Sequence, residues 1–455
     1  MNNRVIEIFK KITTIPRETA HEEQMVEYLE NFAKSNNLDY IKDDFNNIII
    51  KKKTCDKPAV ILQAHTDMVC VKEDSSPIDF SKDAINVYEE NGYLTARGTS
   101  LGADNGIGVA LILDILECDI PVNIEAVFTS EEETTMRGAI NLDTSNLTGK
   151  YLINLDGFND NTIIIESSSF FDILFSTPFS FISCNQKNAY EIKLKGLLGG
   201  HSGEDIDANR GNANKLLAEL LMKLNDLSLI SFIGGTGFNV IPSTATAIIA
   251  TDLDRSALEE ICLTFQLNNK QNYPNLDLHI EETSLTNGLT EEDTTRYLDS
   301  IISFPHGVFD KHDNHVTTSV NLGVVNLQEQ IFKVGMRSSR KEEEQELLNK
   351  LEQHTQKYKY AMKILGSQPG FRSNPECHLI KVLQETSNKE YYLKDPEVQI
   401  VHFTVEAGFF QEKIKDLELA IISPNLYDLH SVNERVEIAS IYETDAWLRR
   451  FLENY

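Results

Sequence analysis

Three apolar runs set the framework of this chain. AVILQAH, VNIEAVFTS and YLINLDG are short, rich in β-branched residues, and each ends on polar or charged side chains. Runs of this length that stay apolar without alternation belong to strands buried on both faces. Helical stretches separate them: VEYLENFAKSNN precedes the first, and GIGVALILDILEC lies between the first and second. Such alternation specifies an α/β layer around a mixed, mostly parallel sheet. Polar residues at the strand ends then sit along one edge of the sheet, where open α/β folds build their sites.

Near Asn185 the pattern changes. Strand candidates AYEIKLKG, STATAIIATDL, TSVNLGVVNL and IFKVGMRSS are interspersed with helices NANKLLAELLMKLNDL, SALEEICLTFQL and KEEEQELLNKLEQHTQKY. This is the mixture of a smaller α+β domain. GSQPGFRSNPE, with two prolines and two glycines, marks a crossing point back to further helices and strands, ECHLIKVLQETSN, VQIVHF and LELAIIS. The expected organisation is a discontinuous α/β domain over residues 1–184 and 371–455, with an α+β domain inserted at 185–370. A length of 455 residues suits two domains, and no internal repeat is evident.

Acidic residues number 70 against 42 basic ones, a net charge of −28. A surface of that sign repels phosphate backbones and anionic membranes, so neither nucleic acid nor a membrane is an expected partner. Six cysteines are scattered with no CxxC pair, as in a protein whose thiols stay reduced. MNNRVIEIFKKITTIP reads as an amphipathic helix and lacks the apolar core of a signal peptide. No apolar run is long enough to span a bilayer. The expected compartment is the cytoplasm.

Five segments carry groups suited to metal chemistry. In AHTDMV, His65 and Asp67 end a strand, and a ligating imidazole commonly gives its second N–H to such a carboxylate. In RGTSLGADNGIGVA, glycines crowd Asp104 at a tight turn into a helix, which by itself also describes a simple helix cap. FTSEEETTMRGA places three glutamates directly after a buried strand; alone, a solvated loop explains them. YLINLDGF puts Asp156 after the third strand, and SPNLYDLHSVNERV puts His430 in a polar loop. No single segment decides anything. Together they offer two histidines and three or more carboxylates, a donor set suited to zinc or a similar divalent ion.

In their order along the chain, AHTDMV, GTSLGADNGIGVA, TSEEETTMRGA, YLINLDG and His430 resemble the M20 metallopeptidases. LKGLLGGHSGEDIDANRGNANKLL and IPRETAHEEQMVEYL resemble the aminoacyl-histidine dipeptidase (Xaa-His dipeptidase) branch of that family. The resemblance covers nearly the whole chain. It implies a zinc-exopeptidase-like catalytic domain with an inserted lid, and two Zn²⁺ per subunit, for which Mn²⁺ or Co²⁺ can substitute. Asp104 would bridge the two ions; His65 and Asp156 would complete one ligand set, Glu133 and His430 the other. Asp67 would stand behind His65. Counted back from Met136-Arg137-Gly138-Ala139, the family's adjacent glutamates fall on Glu132 and Glu133, which makes Glu132 the general base.

The same resemblance implies that the lid supplies a homodimer contact, that His201 stabilises a developing oxyanion, and that Asn239 and Arg337 hold the substrate. The substrate would be a small Xaa-His dipeptide. Alternatives are a tripeptidase, a carboxypeptidase, an aminoacylase, or a non-catalytic metal- or peptide-binding homologue. Two departures stand out. HFTVEAGFF replaces a stretch that usually reads like HxGLECG, with Thr404, Val405 and Ala407 in place of typical residues. PGF stands where Pro-Gly-Trp is common.

Overall fold

The structure is a computed structural model that describes residues 4–455. The chain forms two compact units. The first comprises the N-terminal part to Ser167 together with Phe371–Ile400 and Val405–Tyr455; the second comprises Ser168–Gly370 and Val401–Thr404.

The first unit is built on an eight-stranded mixed sheet. Its strands run in the order Asp39–Lys42, Ile48–Lys52, Ile124–Thr129, Val60–His65, Tyr151–Asn154, Glu418–Ile421, Thr162–Glu166 and Glu397–Ile400. The three apolar runs of the sequence are its centre. Val60–His65 pairs parallel with Ile124–Thr129 on one side and with Tyr151–Asn154 on the other. All residues of Val60–His65 and Ile124–Thr129 are buried, which is why neither sequence alternates. The helix Ala103–Glu117 is apolar nearly all round and packs into the same core. Arg4–Ile12 buries Val5, Ile6, Ile8, Phe9 and Ile12; Met1–Asn3 of the expected amphipathic helix lie outside the described residues. A separate four-stranded sheet joins Leu426–Tyr427, Arg435–Glu437, Tyr93–Ala96 and Val87–Glu90. Residues 428–434 form the loop between its first two strands.

The second unit is a nine-stranded sheet whose pairings are antiparallel, from Asp277–Glu282 at one end to Ala361–Gln368 at the other. Helices Ala213–Leu221, Glu291–Ile302 and Lys341–Tyr358 contribute Leu217, Tyr297 and Leu351 to its core.

Two expected boundaries need correction. The first unit ends at Ser167, not at residue 184, because Ser169–Ser176 pairs with both Ile331–Ser338 and Ala361–Gln368 and buries Ile173 and Phe175 in the second core. The segment 371–455 is not wholly part of the first unit either. Val401–Thr404 belongs to the second, where His402 Nε2 lies 2.7 Å from Ser319 Oγ and the Thr404 hydroxyl donates to the Ser168 carbonyl.

Candidate metal centre and active site

Parallel register carries the site residues to one edge of the first unit's sheet. His65 is the last residue of its strand and pairs with Thr129, so the loop bearing Glu131, Glu132 and Glu133 starts beside it. Asp156 follows Asn154 at the end of the adjoining strand. Asp104 occupies the start of Ala103–Glu117, where its φ/ψ of −79°/112° is not helical; the Asp104–Asn105 peptide is cis. His430 comes from the loop of the small sheet.

These side chains converge. His65 Nε2 lies 3.0 Å from Asp104 Oδ1 and 3.5 Å from Asp156 Oδ1. His430 Nε2 lies 3.3 Å from Asp104 Oδ2 and 3.0 Å from Glu133 Oε2. Asp104 therefore presents one oxygen to each imidazole. Ligand atoms of His65, Glu132 and Asp156 form one tight group, and those of His65, Asp104 and Glu133 a second. Glu131 stands apart, with its carboxylate on Arg137 and the Thr135 hydroxyl.

Asp67, fully buried, accepts from His65 Nδ1 at 3.2 Å, from the Glu132 and Glu133 N–H groups at 3.1 Å each, and from the Thr19 hydroxyl at 3.0 Å. It orients the imidazole and the acidic loop together. The sequence reading attached it to His65 alone.

The electrostatics are those of crowded carboxylates. Burial, then the charge of Asp156, raises the Glu132 pKa well above its ordinary value. Burial and Asp104 push Glu133 up to about 7. Burial opposes the imidazolium of His65, yet Asp156, Asp104 and Asp67 outweigh it and raise its pKa well above normal. His430 is likewise raised against burial, to about 11, by Asp104 and Glu133. Glu133 Oε1 is buried without a hydrogen-bond partner. An orphaned carboxylate oxygen among converging carboxylates and imidazoles is the environment a divalent cation satisfies, and the mixed N/O donors fit zinc-like ions.

In the second unit, His201 lies in the short strand Gly200–His201, paired with Val240–Ile241. Its Nε2 is 3.3 Å from Arg337 Nη2. Arg337 is buried over the Phe170 ring and donates to Thr404 Oγ1 at 3.0 Å. Burial lowers its pKa to about 9. The Asn239 carbonyl accepts the Ser202 N–H, which ties it to the His201 turn, while its side chain is exposed.

The profile of peptidase family M20/M25/M40 matches residues 61–454, a span that contains every residue of this cluster. The chain belongs to that family. It is a hydrolase, a metallopeptidase. A cytosol non-specific dipeptidase of Escherichia coli (strain K12) is 31% identical over 96% of this chain and 94% of its own. An aminoacylhistidine dipeptidase of Vibrio alginolyticus superposes with a TM-score of 0.83 at 27% identity, covering 99% of this chain and 96% of that one. These relatives support dipeptidase activity here. A tripeptidase from Staphylococcus aureus, at 15% identity and a TM-score of 0.58 over 99% of this chain and 98% of its own, shares the fold.

Within this family member, three residues to which the sequence reading gave no role are built into the site's surroundings. Glu406 is fully buried, accepts from Gln63 Nε2 and the Thr129 hydroxyl, and is raised to about 7 by burial. Arg17 and Glu434 hold backbone near Asp67 and Asp104. Glu406 lies in HFTVEAGFF and Arg17 in the N-terminal motif; nothing local distinguishes Glu434. Thr404, a departure from the family pattern, places its hydroxyl on Arg337.

Proposed function

We propose that the protein is a two-metal dipeptidase that hydrolyses Xaa-His and related dipeptides in the cytoplasm, with zinc as the ion and manganese or cobalt as substitutes. The observation that carries this is Asp104, whose two oxygens face His65 and His430 separately. Asp156 flanks the first imidazole and Glu133 the second. His65 and Asp156 would hold one ion and Glu133 and His430 the other, with Asp104 between. Bound there, divalent ions supply a Lewis acid for the scissile carbonyl and lower the pKa of the attacking water.

The chain's own groups then divide the work. Asp67 takes the Nδ1 proton of His65 in a hydrogen bond, which leaves Nε2 directed into the site. Glu132 accepts the proton of the attacking water on its carboxylate and delivers it to the leaving amine. Its raised pKa brings proton affinity closer to that needed for both transfers. The second unit acts as a lid and carries a homodimer contact. His201 stabilises the oxyanion. Arg337, assisted by Asn239, engages the substrate's C-terminal carboxylate with its planar fork. The histidine preference draws on the sequence motifs and on the aminoacylhistidine dipeptidase; the relative named a non-specific dipeptidase supports a broader side-chain range as the second reading.

Glu132→Gln tests the assignment of base and ligand. The variant should keep its full metal content and lose about 10²–10⁴-fold in kcat on Xaa-His dipeptides. Loss of a metal would make Glu132 a ligand, the role its grouping with His65 and Asp156 also allows. If Glu132→Gln stays active and Glu131→Gln does not, the base lies one residue earlier.

A further inference from the structure

Two buried charged side chains outside the donor cluster join the loops that carry it. Arg17, from the IPRETAHEE motif, is 2% exposed. Its Nη1 donates to the carbonyls of Thr66 at 3.2 Å and Asp67 at 2.9 Å, and its Nη2 donates to the carbonyl of Gly102. Glu434, also 2% exposed, accepts four consecutive backbone N–H groups: Leu101 at 2.7 Å, Gly102 at 2.9 Å, Ala103 at 2.8 Å and Asp104 at 3.3 Å. The two side chains thus grip the same turn, one by its carbonyl and the other by its amides. Arg17 extends the grip to the strand end of His65, and Glu434 to the loop of His430.

The glycines of GTSLGADNG are matched to this brace. A Cβ on Gly102, whose φ is +67°, would stand 2.4 Å from Arg17 Nη2, and one on Gly106 would stand 2.7 Å from it. Glu22 of the same motif accepts the Glu131 N–H at 3.1 Å, and Thr19 reaches Asp67. The non-helical backbone of Asp104 is not imposed by the helix that follows it. The amides that Glu434 holds lead into that departure and end with the N–H of Asp104 itself.

We infer that Arg17 and Glu434 are positioning residues that set metal affinity by fixing the strand end of His65, the turn of Asp104 and the loop of His430 relative to one another. The inference rests on reading the cluster as a metal centre. Neither side chain is placed on substrate. Loss of the brace therefore acts on metal binding first, and on kcat through it, with KM little changed. Supports behind metal ligands typically govern affinity by 10–100-fold.

The experiment uses the full-length protein and Zn²⁺ or Co²⁺ alone. Metal dissociation constants are measured by chelator competition at 25 °C for wild type, Glu434→Gln and Arg17→Lys, with the Co²⁺ absorption spectrum recorded for each. Asn212→Ala, which removes a helix cap in the second unit, serves as a control for lost stability. In Glu434→Gln an amide NH₂ confronts backbone N–H donors; in Arg17→Lys one ammonium replaces a fork that serves three carbonyls. Both variants should bind metal at least tenfold more weakly, with an altered Co²⁺ spectrum and restored kcat at saturating metal. Asn212→Ala should match wild type in affinity. Affinities within twofold of wild type overturn the inference, as does a change confined to KM. If both variants fail to fold even in excess metal, the brace serves folding and not metal positioning, and the inference falls. Wild-type protein that binds no metal would instead overturn the functional reading beneath it.

Discussion

Asp67 and Asp104 show how single carboxylates organise this centre. Asp67 accepts from four donors and so couples the tautomer of His65 to the backbone of the acidic loop. Asp104 separates two imidazoles, each held above its ordinary pKa in the metal-free protein, His430 at about 11. Nearby carboxylates favour the protonated rings, and an imidazole that holds its proton must lose it to bind a divalent ion. Metal binding should release protons, and affinity should rise with pH as the imidazolium competes less well. A calorimetric titration in buffers of different ionisation enthalpy measures this; net proton release on metal binding is the expected outcome, and none released contradicts it. The convergence of His65, Asp104, Glu133, Asp156 and His430 was to be expected from the ordered set of motifs and their family resemblance, since no single segment decides it. Arg17 and Glu434 were not legible, because their partners are backbone groups far away in sequence, and a backbone amide leaves no mark on residue type. The register that leaves Glu131 outside the pair is matched by its contact with Arg137.

At the scale of elements, unbroken burial made the central strands readable, and charge made Lys341–Tyr358 readable. The helix expected over NANKLLAELLMKLNDL is shorter. It ends at Leu221, and the chain turns through Asp226 at φ +54° into Ser228–Gly234. Leu224 and Leu227 remain in the core beyond the helix end, so the apolar pattern outlasts the helix that it suggested. Glu291–Ile302 went unread although it carries a strong start signal. Thr290 accepts the Asp293 N–H at 3.0 Å, and Glu291, Glu292 and Asp293 occupy the first turn. Thr290→Ala should cost about 1 kcal/mol of stability. Urea unfolding followed in the second unit checks it, and an unchanged midpoint would show that this cap contributes nothing.

For the molecule as a whole, the division into two units was legible in the shift of pattern, but the exact crossing points were not. Ser169–Ser176 and Val401–Thr404 are claimed by strand pairing and side-chain contacts across long sequence gaps. Among the described residues, no helix is long and apolar enough to cross a membrane. Burial lowers the pKa of three histidines in the second unit, His354 to about 4 and two others further. Burial, then the charge of Lys215, lowers His306 to about 3, and burial with Arg337 lowers His402 to about 3. Unfolded, all three titrate near 6.5. Below that pH the unfolded chain binds protons that the folded one does not, so stability falls as pH drops from 6.5 towards 3. His306→Gln should lose less stability between pH 7 and pH 5 than wild type; equal losses in thermal unfolding would contradict this.

A metal titration of chelator-stripped protein, with bound ions counted and dipeptide hydrolysis followed together, reads out the proposed two-metal hydrolytic centre. Two divalent ions per chain, with full Xaa-His hydrolysis only when both are bound, is the expected result. A single bound ion at full activity, or hydrolysis that survives complete removal of metal, would contradict it.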